Sequence, residues 1–242
     1  MNGVFQTLAR KINRDSFSSF LLKGISGTFA LNIVGRLLSF ILVVVLARLL
    51  GIQDFGYYIL AWRGVQLLMV FGKFGSDATA SKYLAAYKAQ EEWGLFQGHL
   101  FYGLVKVLAK SLFLAAAACM VIWVFQGKLG HTQSLTFWLM MVTLPFLTLI
   151  HFVQAALRVM GHPVRGVFSN TVLRPALHML LVIVLYFAGA SAGAPLAAIA
   201  GTLAAAIALA VASFWLKQKI RHLPKVETKN YETKEWYGYA FY

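Results

Sequence analysis

Apolar residues fill six separate stretches of this chain, and most of the six are interrupted by polar positions at helical spacing. From Gly27 to Leu50 the run holds 24 residues and two charges, Arg36 and Arg48. At about 1.5 Å of rise per residue this is roughly 36 Å of helix, enough to cross a bilayer with some tilt. Further runs at 55–72, 97–125, 135–157, 166–188 and 195–216 predict five more crossings. The expected fold is all-α: a polytopic transmembrane helical bundle of six spans within residues 27–216. Residues 1–26 carry Val4, Phe5, Leu8 and Ile12 at helical spacing, with Arg10, Lys11, Arg14 and Lys23 among them, and predict a cytoplasmic amphipathic segment. Residues 217–242 predict a basic cytoplasmic connector.

The polar positions fall into stripes. Thr28, Asn32, Arg36 and Ser39 stand at i, i+4, i+8 and i+11, on one face of the first span. Arg63 is followed by Gln66 in the second; His99, Tyr102, Lys106 and Lys110 line up in the third. Thr148, His151, Gln154 and Arg158 share one side of the fourth, below Pro145. Asn170, Arg174 and His178 align in the fifth, beside Pro175. The sixth offers a small-residue seam instead, Gly201, Ala204, Ala208 and Ala212, suited to close helix packing. A charge at the bilayer centre costs about 2.5 to 3.5 kcal/mol on insertion scales. The arginine-bearing faces must therefore look at protein or water. Lys106 and Lys110 lie where their side chains can also snorkel to the interface.

Charge orients the bundle. Lys and Arg number 22 against 8 Asp and Glu, in a chain that is 60% hydrophobic with a mean hydropathy of +0.70. Fifteen of the basic residues fall in the N-terminal tail and in segments 73–94, 158–165 and 217–234. The opposite connections hold two, Arg48 and Lys128. The positive-inside rule then places the N-terminus in the cytoplasm. None of the acids lies inside a predicted span; Asp54 and Asp77 stand at the two ends of the second. Arg36, Arg63 and Arg174 thus have no carboxylate at their depth, which points to a cationic, water-accessible cavity. Arginine's planar fork suits phosphate, because it donates two hydrogen bonds at once. The candidate substrate-binding set is Arg36, Arg63, Arg174, Asn32, Ser39, Gln66, Lys106, Lys110, His151 and His178.

Catalytic signatures are missing. The sequence has no GxxxxGK[ST], no GxGxxG and no HExxH, and its six histidines lack the close pairing of a zinc site. Neither an enzyme nor a metal protein is predicted. The single Cys119 sits in an apolar run and can form no disulfide within the chain.

Several of these segments resemble a known family. Ala47-Arg48-Leu49-Leu50-Gly51 followed by Phe55-Gly56-Tyr57-Tyr58 looks like the signature of Wzx-type polysaccharide flippases, members of the multidrug/oligosaccharidyl-lipid/polysaccharide (MOP) exporter superfamily. Phe74-Gly75-Ser76-Asp77 with Ser81-Lys82-Tyr83 is similar to the segment leaving their second span. Ala156 to Pro163 and Leu173-Arg174-Pro175 are similar to the loop between their fourth and fifth spans and to the stretch after that loop. The resemblance covers nearly the whole chain. It implies a carrier that moves an undecaprenyl-diphosphate-linked oligosaccharide, an O-antigen or exopolysaccharide repeat unit, across the inner membrane. It further implies alternating access between two six-helix lobes, with proton or sodium coupling and no other cofactor. Lipid II flippases of the superfamily carry functional arginines in their first two spans, the spans that hold Arg36 and Arg63 here. The family has twelve to fourteen spans, so the six here correspond to its N-terminal lobe, with the C-terminal lobe as the expected partner. Asn230 to Tyr242 resembles the approach to a seventh span.

Other functions fit the residues less well. A drug exporter of the same superfamily would favour acids in its lumen for organic cations. A glycan ligase or polymerase would carry a large extracytoplasmic loop, whereas the longest outer connection predicted here is near Gln126 to Ser134. A membrane scaffold would have no use for three arginine-bearing polar faces.

Overall fold

The computed structural model describes the backbone of residues 2–189 and 193–224, with side chains from Ser26 onward. Among these residues there are helices and no strands. In chain order they are α1 (Asn2–Lys73), α2 (Ser76–Ala89), α3 (Trp93–Phe125), α4 (His131–Val159), α5 (Pro163–Val167), α6 (Arg174–Phe187) and α7 (Ala194–Ile220). A 3₁₀ turn, Gln126–Lys128, follows α3, and a π-helical stretch, Phe168–Leu173, joins α5 to α6. Among the described residues five stretches are long and apolar enough to cross a membrane: Ser26–Lys73, Trp93–Lys128, His131–Val159, Pro163–Phe187 and Ala194–Ile220. The helical membrane architecture expected from the sequence is the one found. The segment 1–26 is helical from Asn2 and runs on into α1, while its amphipathic face lies outside the described side chains. The connector beyond Pro224 and the seventh-span approach at Trp236–Tyr242 lie outside the described residues.

Two of the six predicted stretches, 27–50 and 55–72, fall within one apolar helical run of 48 residues. Drawn out straight, it would measure roughly 72 Å, more than twice a bilayer core. Gly51 breaks it, with φ 75° and ψ 172°, a backbone that side chains with a Cβ rarely adopt. The chain doubles back there. Arg36 and Gln66, equally far from Gly51 on either side, line one cavity. Leu42 and Leu46 of the first leg share a buried cluster with Tyr58, Ala61 and Val65 of the second. The corner is tied down by Asp54, whose Oδ2 accepts the Ala194 N–H at 3.1 Å and so satisfies one of the open donors at the start of α7. The Ala47-to-Tyr58 segment thus encodes a hairpin corner.

α4 and α7 form the centre of the bundle. The seam on α7 is buried at Ala204, Ala208 and Ala212, and Ala197, Ala198 and Ala205 are buried beside it. Small side chains let the two backbones approach, and the Thr143 and Thr202 hydroxyls meet across them at 2.6 Å. Gly201 leaves room for the His178 imidazole: a Cβ there would lie 3.0 Å from His178 Cε1. Gly103 of α3 does the same for Phe152 of α4, whose ring a Cβ would overlap.

The sequence pattern predicts no separate helix within 73–94. α2 fills that gap, starting after Gly75 in the left-handed region (φ 69°). It packs against α3 and α4. Lys88 at its far end donates from Nζ to the Val159 carbonyl at 2.8 Å, capping the last turn of α4.

Candidate functional site

Two legs and a bulge build a cavity between the helices. Gly35, Arg36 and Ser39 come from the first leg of α1, and Trp62, Gln66 and Met69 from the second. Leu147 and His151 of α4 close one side, and Asn170, Thr171 and Arg174 close another. Its volume is about 340 Å³, within the range of small-ligand sites.

Pro175 accounts for the local backbone around Asn170. A proline inside an α-helix has no N–H for the carbonyl four residues before it, here Thr171, and its ring crowds that carbonyl. The helix widens into the π-helical stretch Phe168–Leu173 just before it. π bulges within helices often mark functional positions. Gly35 is the partner of this distortion: a Cβ there would overlap the Thr171 carbonyl oxygen and Cγ2, so only glycine lets the first leg approach. This contact sets Arg36 beside the bulge that presents Asn170 and Arg174.

The polar groups are linked. Arg174 donates from Nε to the Asn170 carbonyl at 3.4 Å, and its guanidinium carbon lies 5.3 Å from the centre of the Trp62 ring. Cation–π contact of this kind holds the guanidinium without neutralising it. The Asn170 amide donates to Gln154 Oε1 at 3.3 Å and lies 3.4 Å from His151 Nε2. Arg63 does not line the cavity. It is exposed and donates from Nη1 to Gln66 Oε1 at 2.9 Å, which leaves the Gln66 amide N–H groups for the cavity. No acidic residue is among the lining side chains. Two guanidiniums in one acid-free concavity create a positive potential that attracts anions.

The other sequence candidates are distributed differently. Ser39, Gln66 and His151 line the cavity with Arg36 and Arg174. Asn32 is exposed one turn before Arg36 and donates to the Thr28 carbonyl at 2.8 Å. Lys106 lines a separate space of about 20 Å³ with Ser76, Thr79, His99 and Tyr102, room for about one water. Lys110 is half-buried and lines neither space. His178 is buried 6.0 Å from the Tyr58 ring, its Nε2 lying 3.0 Å from the Ala197 carbonyl, and it serves helix packing. The stripe Asn170, Arg174, His178 therefore divides, its first two members facing the cavity and its third facing α7. Trp62, Met69, Gly35 and Thr171 are cavity residues that polarity and spacing did not single out. For Trp62 and Met69 the signal was present: Trp62, Gln66 and Met69 stand at i, i+4 and i+7, a face beside the one Arg63 suggested.

Comparison with known proteins adds one finding. The family model for polysaccharide biosynthesis proteins matches residues 21–233. The chain belongs to that family. It is the family of the Wzx-type flippases, and its match takes in both legs of α1, the π bulge and every residue of the cavity. No curated protein and no solved structure matches the chain. Family and fold together make this a polysaccharide-related membrane transporter.

Proposed function

We propose that the protein flips an undecaprenyl-diphosphate-linked oligosaccharide across the inner membrane by alternating access, and that Arg36 and Arg174 hold the diphosphate. The observation that carries this reading is the meeting of those two arginines, from separate segments, in one acid-free cavity. A diphosphate at polyprenyl headgroup level is a multiply charged anion with oxygens spaced for two forked donors. Ser39, Gln66, Asn170 and His151 supply neutral hydrogen-bonding groups around it. Arg63 acts at one remove, by orienting Gln66. In this reading the hairpin at Gly51 contributes two crossings, which brings the count to six, with the N-terminus cytoplasmic. The six form one lobe of a two-lobed carrier, coupled to a proton or sodium gradient.

The test is surface-glycan export in cells whose own transporter is replaced by variants of the full-length protein. Arg36→Ala and Arg174→Ala should each abolish export at normal membrane abundance. Arg→Lys at either position should restore it in part, since lysine keeps the charge and loses the fork. Arg63→Ala should reduce export less than either. Full export by Arg36→Ala or Arg174→Ala at wild-type abundance would overturn the assignment.

A further inference from the structure

The end of the bundle where α2, α4 and α7 finish and α5 begins holds a second cationic cluster, away from the cavity. Met160, Gly161 and His162 make the turn there, with Gly161 in the left-handed region (φ 83°). His162 is half-buried, and three cations from three different helices bear on its ring: Lys219 of α7, Arg165 of α5 and Lys88 of α2. Among the described residues no carboxylate acts on it. Glu91 and Glu92, three and four residues after Lys88, are exposed on the turn after α2. Burial and these three cations together hold the His162 imidazole below its ordinary pKa. Lys88 is anchored at Val159, three residues before His162. Arg165 stands three residues after His162, against Trp215, which lies about one turn before Lys219 on α7. Like charges placed on one turn and the helix ends beside it repel one another, and a bound anion relieves that repulsion. Arg165 is exposed like Arg158, Lys217 and Arg221 nearby, but unlike them it lies against the Trp215 ring.

Aromatic neighbours indicate where the anion comes from. The Arg165 guanidinium lies 5.9 Å from the centre of the Trp215 ring, and Phe168 stacks 6.2 Å from the same ring. Aromatic rings of this kind belong at the membrane interface. α7 ends at Ile220, one residue past Lys219, which puts the cation at the same level. Lys88 spends one of its three ammonium protons on the Val159 carbonyl and keeps two for a ligand. We propose that Lys88, Arg165 and Lys219 form a binding site for the phosphate headgroup of an anionic phospholipid, seated on the His162 turn and flanked by Trp215. A free phosphate would match the cations but not the aromatic wall.

Binding to the purified full-length protein decides this, with short-chain phosphatidylglycerol, phosphatidylcholine of the same chains and inorganic phosphate as probes. The variant Lys88→Gln/Arg165→Gln/Lys219→Gln tests the cluster; glutamine at 88 keeps a donor for Val159. The variant Arg158→Gln/Lys217→Gln/Arg221→Gln removes equal charge outside it. Phosphatidylglycerol should bind the wild type and the outside variant alike, and the cluster variant more weakly by roughly fivefold per cation removed. Should the triple variant fail to fold, the exposed Arg165→Gln alone should weaken binding about fivefold with lipid-free thermal stability unchanged. Equal weakening in both triple variants, or no preference over phosphatidylcholine, overturns the proposal. So does inorganic phosphate that binds the cluster as tightly as the lipid does.

Discussion

Gly35 and Gly64 lie on opposite legs of the same hairpin and ask for opposite things. A Cβ on Gly35 would overlap the Thr171 carbonyl, whereas one on Gly64 would meet nothing within 4 Å. Gly35→Ala should therefore lower thermal stability by about 1 to 3 kcal/mol, because backbone rather than a pliable side chain stands in the way. It should also abolish export by moving Arg36 off the bulge. Gly64→Ala should be neutral or stabilising by about 0.5 to 1 kcal/mol, the usual gain of alanine over glycine inside a helix. Melting both variants in detergent checks the pair; equal melting temperatures would show that the Gly35 contact is not tight. At this scale the sequence was legible where polarity marked the residue. Arg36, Ser39, Gln66, His151 and Arg174 were found by type and spacing, and the cavity brings them together. Gly35 and Thr171 were not, because a close backbone approach leaves no mark in residue polarity.

Among the elements, the hairpin and the bulge position everything else. Asp54 accepts the Ala194 N–H across the corner, a helix-capping contact made between distant segments. Asp54→Ala should cost about 0.5 to 2 kcal/mol, the range for losing a helix cap. Asp54→Asn keeps an acceptor and should recover most of that loss in the same melt. Pro175→Ala separates stability from function more sharply. With an N–H restored at 175, the helix can close its regular bonds through 168–173 and turn Asn170 relative to Arg174. Melting temperature should hold or rise while export falls; export retained at wild-type rate would mean that the bulge has no part in the site. The crossings themselves were legible as long apolar runs. The hairpin was legible only as two runs with Gly51 between them, and the π stretch only as a proline. α2 escaped because its polar and apolar residues lack the length and hydropathy of a span; contacts with α3 and α4 hold it.

Over the whole molecule, charge is sorted by end, and two groups near the basic end titrate with opposite signs. Asp77, at the start of α2, is held above the usual aspartate range by burial, which outweighs the pull of Lys73 and Arg158. Its contribution to stability is full below pH 3.8 and fades as pH rises through the raised folded value. His162 behaves oppositely: with its folded pKa lowered from 6.5, its contribution is present above pH 6.5 and lost as pH falls through the folded value. As pH falls below 6.5 the His162 contribution is lost, so the fall in thermal stability from neutral to mildly acidic pH should be smaller in His162→Gln than in the wild type. The same sorting of charge predicts topology. Lys88, Arg158, Arg165, Lys217, Lys219 and Arg221 lie on the turns and helix ends around His162, while the opposite end of the bundle, at Gly51, the Gln126–Lys128 turn and Gly189, offers Arg48 and Lys128. Reporter fusions after Lys82 and Gly161 should therefore read cytoplasmic, and fusions after Gly127 and Gly189 should read extracytoplasmic. A fusion after Gly51 is the discriminating member of the set. An extracytoplasmic signal there, with a cytoplasmic one after Lys82, requires the two legs of α1 to cross separately and gives six crossings. A cytoplasmic signal after Gly51 would place both legs of the hairpin on the wrong side of the bilayer, and would end the proposal that Arg36 and Gln66 face one membrane-embedded cavity.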